Sequence, residues 1–323
     1  MSFWTNKRVI VTGGAGFLGK HVCEILREHG AKLNVPRRSD YDLRMPSSCR
    51  WIFDDFDNAE IVIHLAANVG GIAVTAAKPA SSFYDNAMMG INMIHAAHCA
   101  RVEKFVCVGS VCAYPEVTLV PTDELCLWAG YPEPTNAPYG VAKRILHTML
   151  DAYHKEYGMK SAYLLMANLY GPGDDFDAQT GHVIPALIKK CIEAKEQGLE
   201  GISVWGSGNV SRDFLYVKDA AESVVLAAEK VETPDPINIA TGYETYISSL
   251  VEAIKQTVGF PGRTAFDRSR PDGQKRRVFD VSKAHRLLGW KAQTDLFDGL
   301  RETVTWYKRT LEFGKHESNR NNF

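Results

Sequence analysis

Five side chains in this 323-residue chain could do chemistry together, and they come from three separate stretches. Ser110 and Cys112 stand in Gly109-Ser110-Val111-Cys112-Ala113-Tyr114-Pro115. Tyr139 and Lys143 stand four apart in Tyr139-Gly140-Val141-Ala142-Lys143, and His182 lies between Gly181 and Val183. A phenol and an ammonium at i, i+4 share one helix face. The cation is expected to favour the phenolate and lower its pKa from about 10, which makes Tyr139 a workable acid/base. Ser110 can hydrogen-bond the carbonyl or hydroxyl that Tyr139 serves, and a simple cap serine has the same local signature. Cys112 and His182 together offer a base and an acid of different character. Taken singly, the thiol reads equally well as a small buried hydrophobe. No metal-ligand spacing and no Gly-x-Ser-x-Gly accompanies these residues.

Elements must bring these side chains together. The apolar run Lys104 to Val108 reads as a strand ending at Ser110, and ligands of open α/β sheets bind beyond such carboxyl ends. Pro138 marks the start of a helix expected over 139–154. Near the N-terminus, the strand Arg8-Val9-Ile10-Val11 runs into Thr12-Gly13-Gly14-Ala15-Gly16-Phe17-Leu18-Gly19. An amphipathic helix pattern follows from Lys20 to His29 and stops at Gly30. A diphosphate needs backbone N–H groups at a helix N-terminus and no side chains in the way, and GxxGxxG between strand and helix meets that need. The next strand, Ala31 to Val35, ends at Pro36-Arg37-Arg38-Ser39. Two guanidinium groups there favour a ribose 2′-phosphate, hence NADP, while Asp40 and Asp42 nearby keep NAD open. The strand from Glu60 ends in small residues, Ala66 and Ala67, that let a cofactor approach. Further strands are expected at Ser161 to Met166 and Pro236 to Ile239. The alternation predicts a Rossmann-like α/β fold with a doubly wound parallel sheet in residues 1–170, completed by a returning strand near 236–240. After Gly171-Pro172-Gly173-Asp174-Asp175, residues 171–323 are expected to form mainly a smaller α/β substrate-binding lobe.

Composition narrows the function classes. With 37 Lys and Arg against 38 Asp and Glu, the net charge is −1, which argues against nucleic-acid or anionic-membrane partners. No apolar run is long enough to span a bilayer, and the N-terminus lacks a signal-peptide core. Seven cysteines without a spaced framework suggest reduced thiols and a cytoplasmic setting. Arg263, Arg268, Arg270, Lys275, Arg276 and Arg277 form a late basic cluster that reads as a solvated face.

TGGAGFLG from Thr12, HLAA from His64, the Ser110 segment and the Tyr139-to-Lys143 pair fall in the order found in the extended short-chain dehydrogenase/reductase family, which the chain resembles. HLAANVGGI from His64, NAPYGVAK from Asn136 and ANLYGPGDDFD from Ala167 narrow the resemblance. So do GHVIPALI from Gly181, VWGSGNVSRDFLYV from Val204 and RSRPDGQKRR from Arg268. Together they are similar to members that epimerise C3 and C5, and then reduce C4, of GDP-4-keto-6-deoxy-D-mannose. The resemblance implies that Ser110, Tyr139 and Lys143 form a reductase set, with Cys112 as epimerisation base and His182 as acid. It implies NADPH as cofactor, held by Gly13, Gly16, Phe17, Leu18, Gly19, Arg37, Arg38, Asp42, Leu43, Ala66, Val108, Lys143, Asn168, Leu169 and His182. Lys190, Trp205, Arg212 and Asp272 match positions that hold the GDP-linked keto-deoxy sugar, and a homodimer is implied through helices near 84–100 and 139–157. Ala15 departs from members with an arginine there, which leaves the phosphate to Arg37 or Arg38. Two enzymatic alternatives fit the same motifs: a 4-reductase of another GDP-sugar, or an NAD-retaining UDP-sugar 4-epimerase. A cofactor-sensing binding protein would need the glycine loop but not Tyr139, Lys143 or Cys112.

Overall fold

The computed structural model describes residues 2–70, 72–177, 181–269 and 272–320, with side chains outside 72–74 and 313–320. Arg270 of the basic cluster lies outside the described residues. In the first half, β1 (Arg8–Thr12), α1 (Phe17–Glu28), β2 (Lys32–Asn34), α2 (Pro46–Asp55) and β3 (Ile61–His64) follow one another. Then come α3 (Ile72–Ala77), α4 (Pro79–Cys99), β4 (Lys104–Val108), α5 (Ala137–Tyr157) and β5 (Lys160–Met166). The second half starts with β6 (Asn168–Tyr170), α6 (Val183–Glu196), β7 (Gly201–Trp205), β8 (Ser211–Arg212) and β9 (Phe214–Tyr216). It continues with α7 (Val217–Lys230), β10 (Pro236–Ile239), β11 (Thr245–Tyr246), α8 (Ile247–Val258), β12 (Arg263–Asp267), α9 (Ser282–Leu288) and α10 (Leu296–Arg320).

Six strands form one sheet in the order β2-β1-β3-β4-β5-β10, and every pairing is parallel. All residues of β3 and β4 are buried, as expected when helices cover both faces of a sheet. The helices pack as two pairs, α1 with α7 and α4 with α5. The expected doubly wound architecture is present. Strand order reverses between β1 and β3, which puts the glycine loop at the switch point. No strand separates α2 from β3, because the segment after Asp42 is too short for anything but one helix and a turn.

The smaller lobe has its own core. Ile184, Ile188 and Cys191 of α6 meet Leu250 and Ile254 of α8, with Leu300 and Val304 of α10 beside them. The parallel pair of β7 and β12 lies in this lobe. The division is less clean than the sequence suggests. Not only β10 but also α7 and α9 return to the main core, through Ala220, Ala221, Val224, Ala227, Ala284 and Leu288. Small residues on α7 let it lie close to α1 and β4, which a hydrophobicity pattern alone does not reveal.

Candidate active site

The glycine loop is built by close backbone approaches. Gly13 has φ +69°, and a Cβ there would sit 2.7 Å from the amide nitrogen of Ala66. A Cβ on Gly19 would collide with the Gly13 carbonyl, and one on Gly14 would meet Val35 at 2.8 Å. Side chains are therefore excluded at Gly13, Gly14 and Gly19. Gly16 is the N-cap and offers no side chain to the first N–H groups of α1. That leaves amide donors free for a diphosphate, and Phe17 and Leu18 open the helix beside them. Below the loop, Thr12 Oγ1 hydrogen-bonds His64 Nδ1 at 2.8 Å and accepts the Ala66 N–H at 3.4 Å. Burial, helped by the charge of Lys143, pushes the His64 pKa down to about 3, so this imidazole is neutral.

The residues offered for the adenosine end separate. Arg37 lines a cavity of about 390 Å³ with Gly14, Ala15, Lys20, Arg27 and Val35. Arg38 does not line it; its charge acts on Asp42 instead. Asp42 is held by Arg44 at 2.7 Å, and that hydrogen bond holds its carboxyl down at about 2. Leu43 is buried, and its carbonyl accepts from Asn92 at 3.0 Å and from the Cys49 thiol at 3.4 Å.

The chemistry-bearing segment begins where β4 ends. Ser110 caps a single 3-10 turn, Val111–Ala113, and its Oγ accepts the Cys112 N–H at 3.2 Å. Helix α5 lies against this turn because Gly140 has no Cβ; one there would collide with the Cys112 carbonyl. Arg144 donates to the carbonyls of Ala113 at 2.6 Å and Gly130 at 2.8 Å. The Lys143 ammonium donates to the buried Val108 carbonyl at 2.9 Å, and the Tyr163 hydroxyl donates to the Lys143 carbonyl at 2.9 Å. The Tyr139 phenol lies close enough to Ser110 and Cys112 for both to act on its pKa. Ser110, Tyr139 and Lys143 are thus one assembly.

One expectation fails here. The Tyr139 pKa is raised, not lowered: burial dominates, the neighbouring Cys112 adds to it, and Ser110 opposes it only in part. Lys143 shares the helix face, but its ammonium is turned to Val108, 5.7 Å from the centre of the phenol ring. Burial also lowers the Lys143 pKa.

Cys112 faces a cation that the sequence did not single out. Arg277 Nη1 lies 3.7 Å from its sulfur, and Nη2 donates to the Val111 carbonyl at 3.4 Å. Arg212 stands nearby, fixed by the carbonyls of Ser211 at 2.7 Å and Gln274 at 2.6 Å. Burial and then the charge of Arg277 push the Arg212 pKa down to about 10. Two guanidinium groups drawn together by carbonyls, neither in a salt bridge among the described residues, make a place for an anion.

The other expected substrate residues frame this place. Asp272 accepts the Ser207 N–H at 2.6 Å and so fixes the turn after Trp205, a residue that is 62% exposed. Lys190 donates to the Ser203 carbonyl at 2.7 Å, on the same strand as Trp205. His182 is the N-cap residue of α6. It is exposed, and among the described residues it makes no hydrogen bond to Cys112. Asn168 opens β6 and donates to the Asp213 carbonyl at 3.1 Å, with Leu169 half-buried beside it. Among the described residues, no group of His, Cys, Asp and Glu is placed to hold a metal ion.

A family model described as "NAD dependent epimerase/dehydratase family" matches residues 9–240. The GDP-L-fucose synthase of Escherichia coli (strain K12) is 37% identical over 314 residues, which cover 94% of this chain and 97% of that protein. Among solved structures, a GDP-6-OMe-4-keto-L-xylo-heptose reductase from C. jejuni gives a TM-score of 0.89 at 29% identity, covering 96% of this chain and 100% of the other. A GDP-L-fucose synthetase from Naegleria fowleri bound to NADP gives 0.87 at 29% identity, with 97% of each chain covered.

Proposed function

Because the chain belongs to the NAD dependent epimerase/dehydratase family, we propose that it converts GDP-4-keto-6-deoxy-D-mannose to GDP-L-fucose with NADPH. Epimerisation at C3 and C5 comes first, and reduction at C4 follows. The observation that carries this reading is Cys112. Its sulfur sits on the same turn as Ser110, next to the Tyr139 phenol, with Arg277 beside it.

The C4 ketone makes the protons at C3 and C5 acidic. Cys112 removes each proton, and Arg277 provides a cation while the sulfur carries charge. Ser110 and Tyr139 donate hydrogen bonds to the developing enolate oxygen. His182 returns a proton to the opposite face, so one C–H bond is broken and one re-formed at each centre. NADPH held at the glycine loop would supply the hydride for C4. Tyr139 gives its proton to the O4 alkoxide as that oxygen gains charge. A phenol whose pKa is raised keeps its proton at neutral pH, which suits an acid better than a base. Lys143 fixes this end of the site through the Val108 carbonyl. Arg212 and Arg277 neutralise the diphosphate, and Asp272, Trp205 and Lys190 frame the nucleotide side. The fit of the glycine loop to a dinucleotide rests on its excluded side chains and free amide donors.

The dimer reading extends this proposal. Helix α4 exposes Phe83 and Tyr84 near its start, and the exposed Tyr157 at the end of α5 lies against His98 near the end of α4. A second copy packed on this side gives a homodimer. All seven cysteines are unpaired, which supports a reducing, cytoplasmic setting.

The test is to incubate the protein with NADPH and GDP-4-keto-6-deoxy-D-mannose and to determine the product configuration by NMR. GDP-L-fucose is expected. A product reduced at C4 without inversion at C3 and C5 would remove the epimerase half. It would favour a 4-reductase of another GDP-sugar, the kind of activity named for the C. jejuni neighbour.

A further inference from the structure

We propose that the 2′-phosphate of NADP is read by Lys20 together with Arg37, with Arg27 at the rim, so that a helix cation sets cofactor choice in this chain. The inference rests on the NADPH reading above. The cavity beside the glycine loop is lined by Gly14, Ala15, Lys20, Arg27, Val35 and Arg37. Its position fixes what can occupy it. Gly14 and Ala15 belong to the loop that takes the diphosphate, and Val35 follows β2, the strand whose end meets the adenosine ribose in this fold. Three cations line this cavity and no anion does.

Lys20 and Arg27 are seven apart on α1, two turns, so they project from one face. Arg37 comes from the segment after β2 on the other side. None of the three side chains has an ion pair or hydrogen-bond partner among the described residues, although Glu24 stands one turn from Lys20. Elsewhere Arg8 is paired with Asp57 at 3.0 Å and Arg276 with Glu244 at 2.7 Å. A chain of net charge −1 that leaves three cations unpaired around one cavity is built for a dianion. A phosphomonoester fits; a bare 2′-hydroxyl would leave the charges facing one another. Arg38, the other guanidinium in the loop, does not line this cavity.

The test measures binding, not turnover. Titrate NADPH and NADH, and then 2′,5′-ADP and 5′-AMP, into the wild-type chain, Lys20→Gln and Arg37→Gln. Wild type is expected to prefer the phosphorylated member of each pair. Each variant is expected to lose about tenfold or more in affinity for NADPH and 2′,5′-ADP, and to bind NADH and 5′-AMP within about twofold of wild type. Retained NADH binding also shows that the variant is folded. If wild type prefers NADPH but Lys20→Gln keeps that preference, the assignment of Lys20 is wrong and the NADP reading stands. Equal weakening of both members of a pair would also overturn it, since the lysine would then be shaping the loop. If wild type shows no preference, the NADP reading falls and the assignment with it.

Discussion

Cys112 and Arg277 are 165 residues apart in the chain and meet at 3.7 Å. Two substitutions separate their roles. Cys112→Ser keeps the size of the side chain but replaces the base. It is expected to lower epimerisation by about 100-fold or more, with NADPH binding unchanged in a fluorescence titration. Loss of cofactor binding would instead mark Cys112 as a structural thiol. Arg277→Gln removes the cation but can keep a bond to the Val111 carbonyl. It is expected to weaken GDP-sugar binding by about 10-fold or more, read as KM, with the cofactor Kd unmoved. His64 carries a pH prediction. Its folded pKa of about 3 lies below the ordinary 6.5, so the unfolded chain binds the extra proton between those values. The neutral, buried imidazole therefore favours folding fully above pH 6.5. That contribution is lost as pH falls toward 3, at about 1.4 kcal/mol per pH unit. Denaturant unfolding of wild type and His64→Asn across this window should show the steeper loss in wild type; parallel curves would contradict it.

At the scale of elements, the site is a contact between one helix and one turn. Gly140 permits it, and Lys143 and Arg144 hold it by bonds to carbonyls on either side of Cys112. Alanine normally stabilises a helix interior over glycine by about 1 kcal/mol. Gly140→Ala should do the reverse, since the new methyl meets backbone that cannot rotate away. A loss of about 1–3 kcal/mol is expected by thermal unfolding, together with lower activity. An unchanged or raised Tm would show that α5 does not press on the turn as described. The same contact explains what the sequence could and could not tell. The glycine loop and the Tyr139-to-Lys143 spacing are local rules, one of backbone room and one of helix periodicity, so both were legible. The Tyr139 pKa goes against expectation first because the phenol is buried, and sharing a helix face does not say where a long lysine head goes. It goes to Val108, on a strand. Arg277 was legible only as part of a basic cluster, because no spacing encodes a partner that the second lobe brings back. An amphipathic helix pattern does not encode that Lys20 and Arg27 share a cavity with Arg37, which comes from another segment.

The whole molecule is two cores with shared elements. The loops at the strand ends supply the glycine stretch, Ser110 and Cys112, and α5 supplies Tyr139 and Lys143. The later part of the chain supplies Arg212, Asp272 and Arg277. Return of α7, β10 and α9 to the main core ties the two parts together, and Asn238 of β10 adds bonds to Tyr114 at 2.7 Å and to the Thr122 and Asp280 carbonyls at 3.0 Å. Tyr114 directly follows the turn that carries Cys112, so the returning strand steadies the site. Sedimentation of the purified chain is expected at twice the chain mass; a monomer at micromolar concentration would remove the proposed α4 and α5 interface. The central claim is that this site breaks C–H bonds beside a ketone before any reduction. The most direct measurement is deuterium incorporation into GDP-4-keto-6-deoxy-D-mannose, incubated in deuterated water with the protein and NADP⁺, so that no hydride is available. Exchange at both C3 and C5, absent with Cys112→Ser, is the expected result; no exchange at either carbon by a protein that still turns over the sugar with NADPH would contradict it.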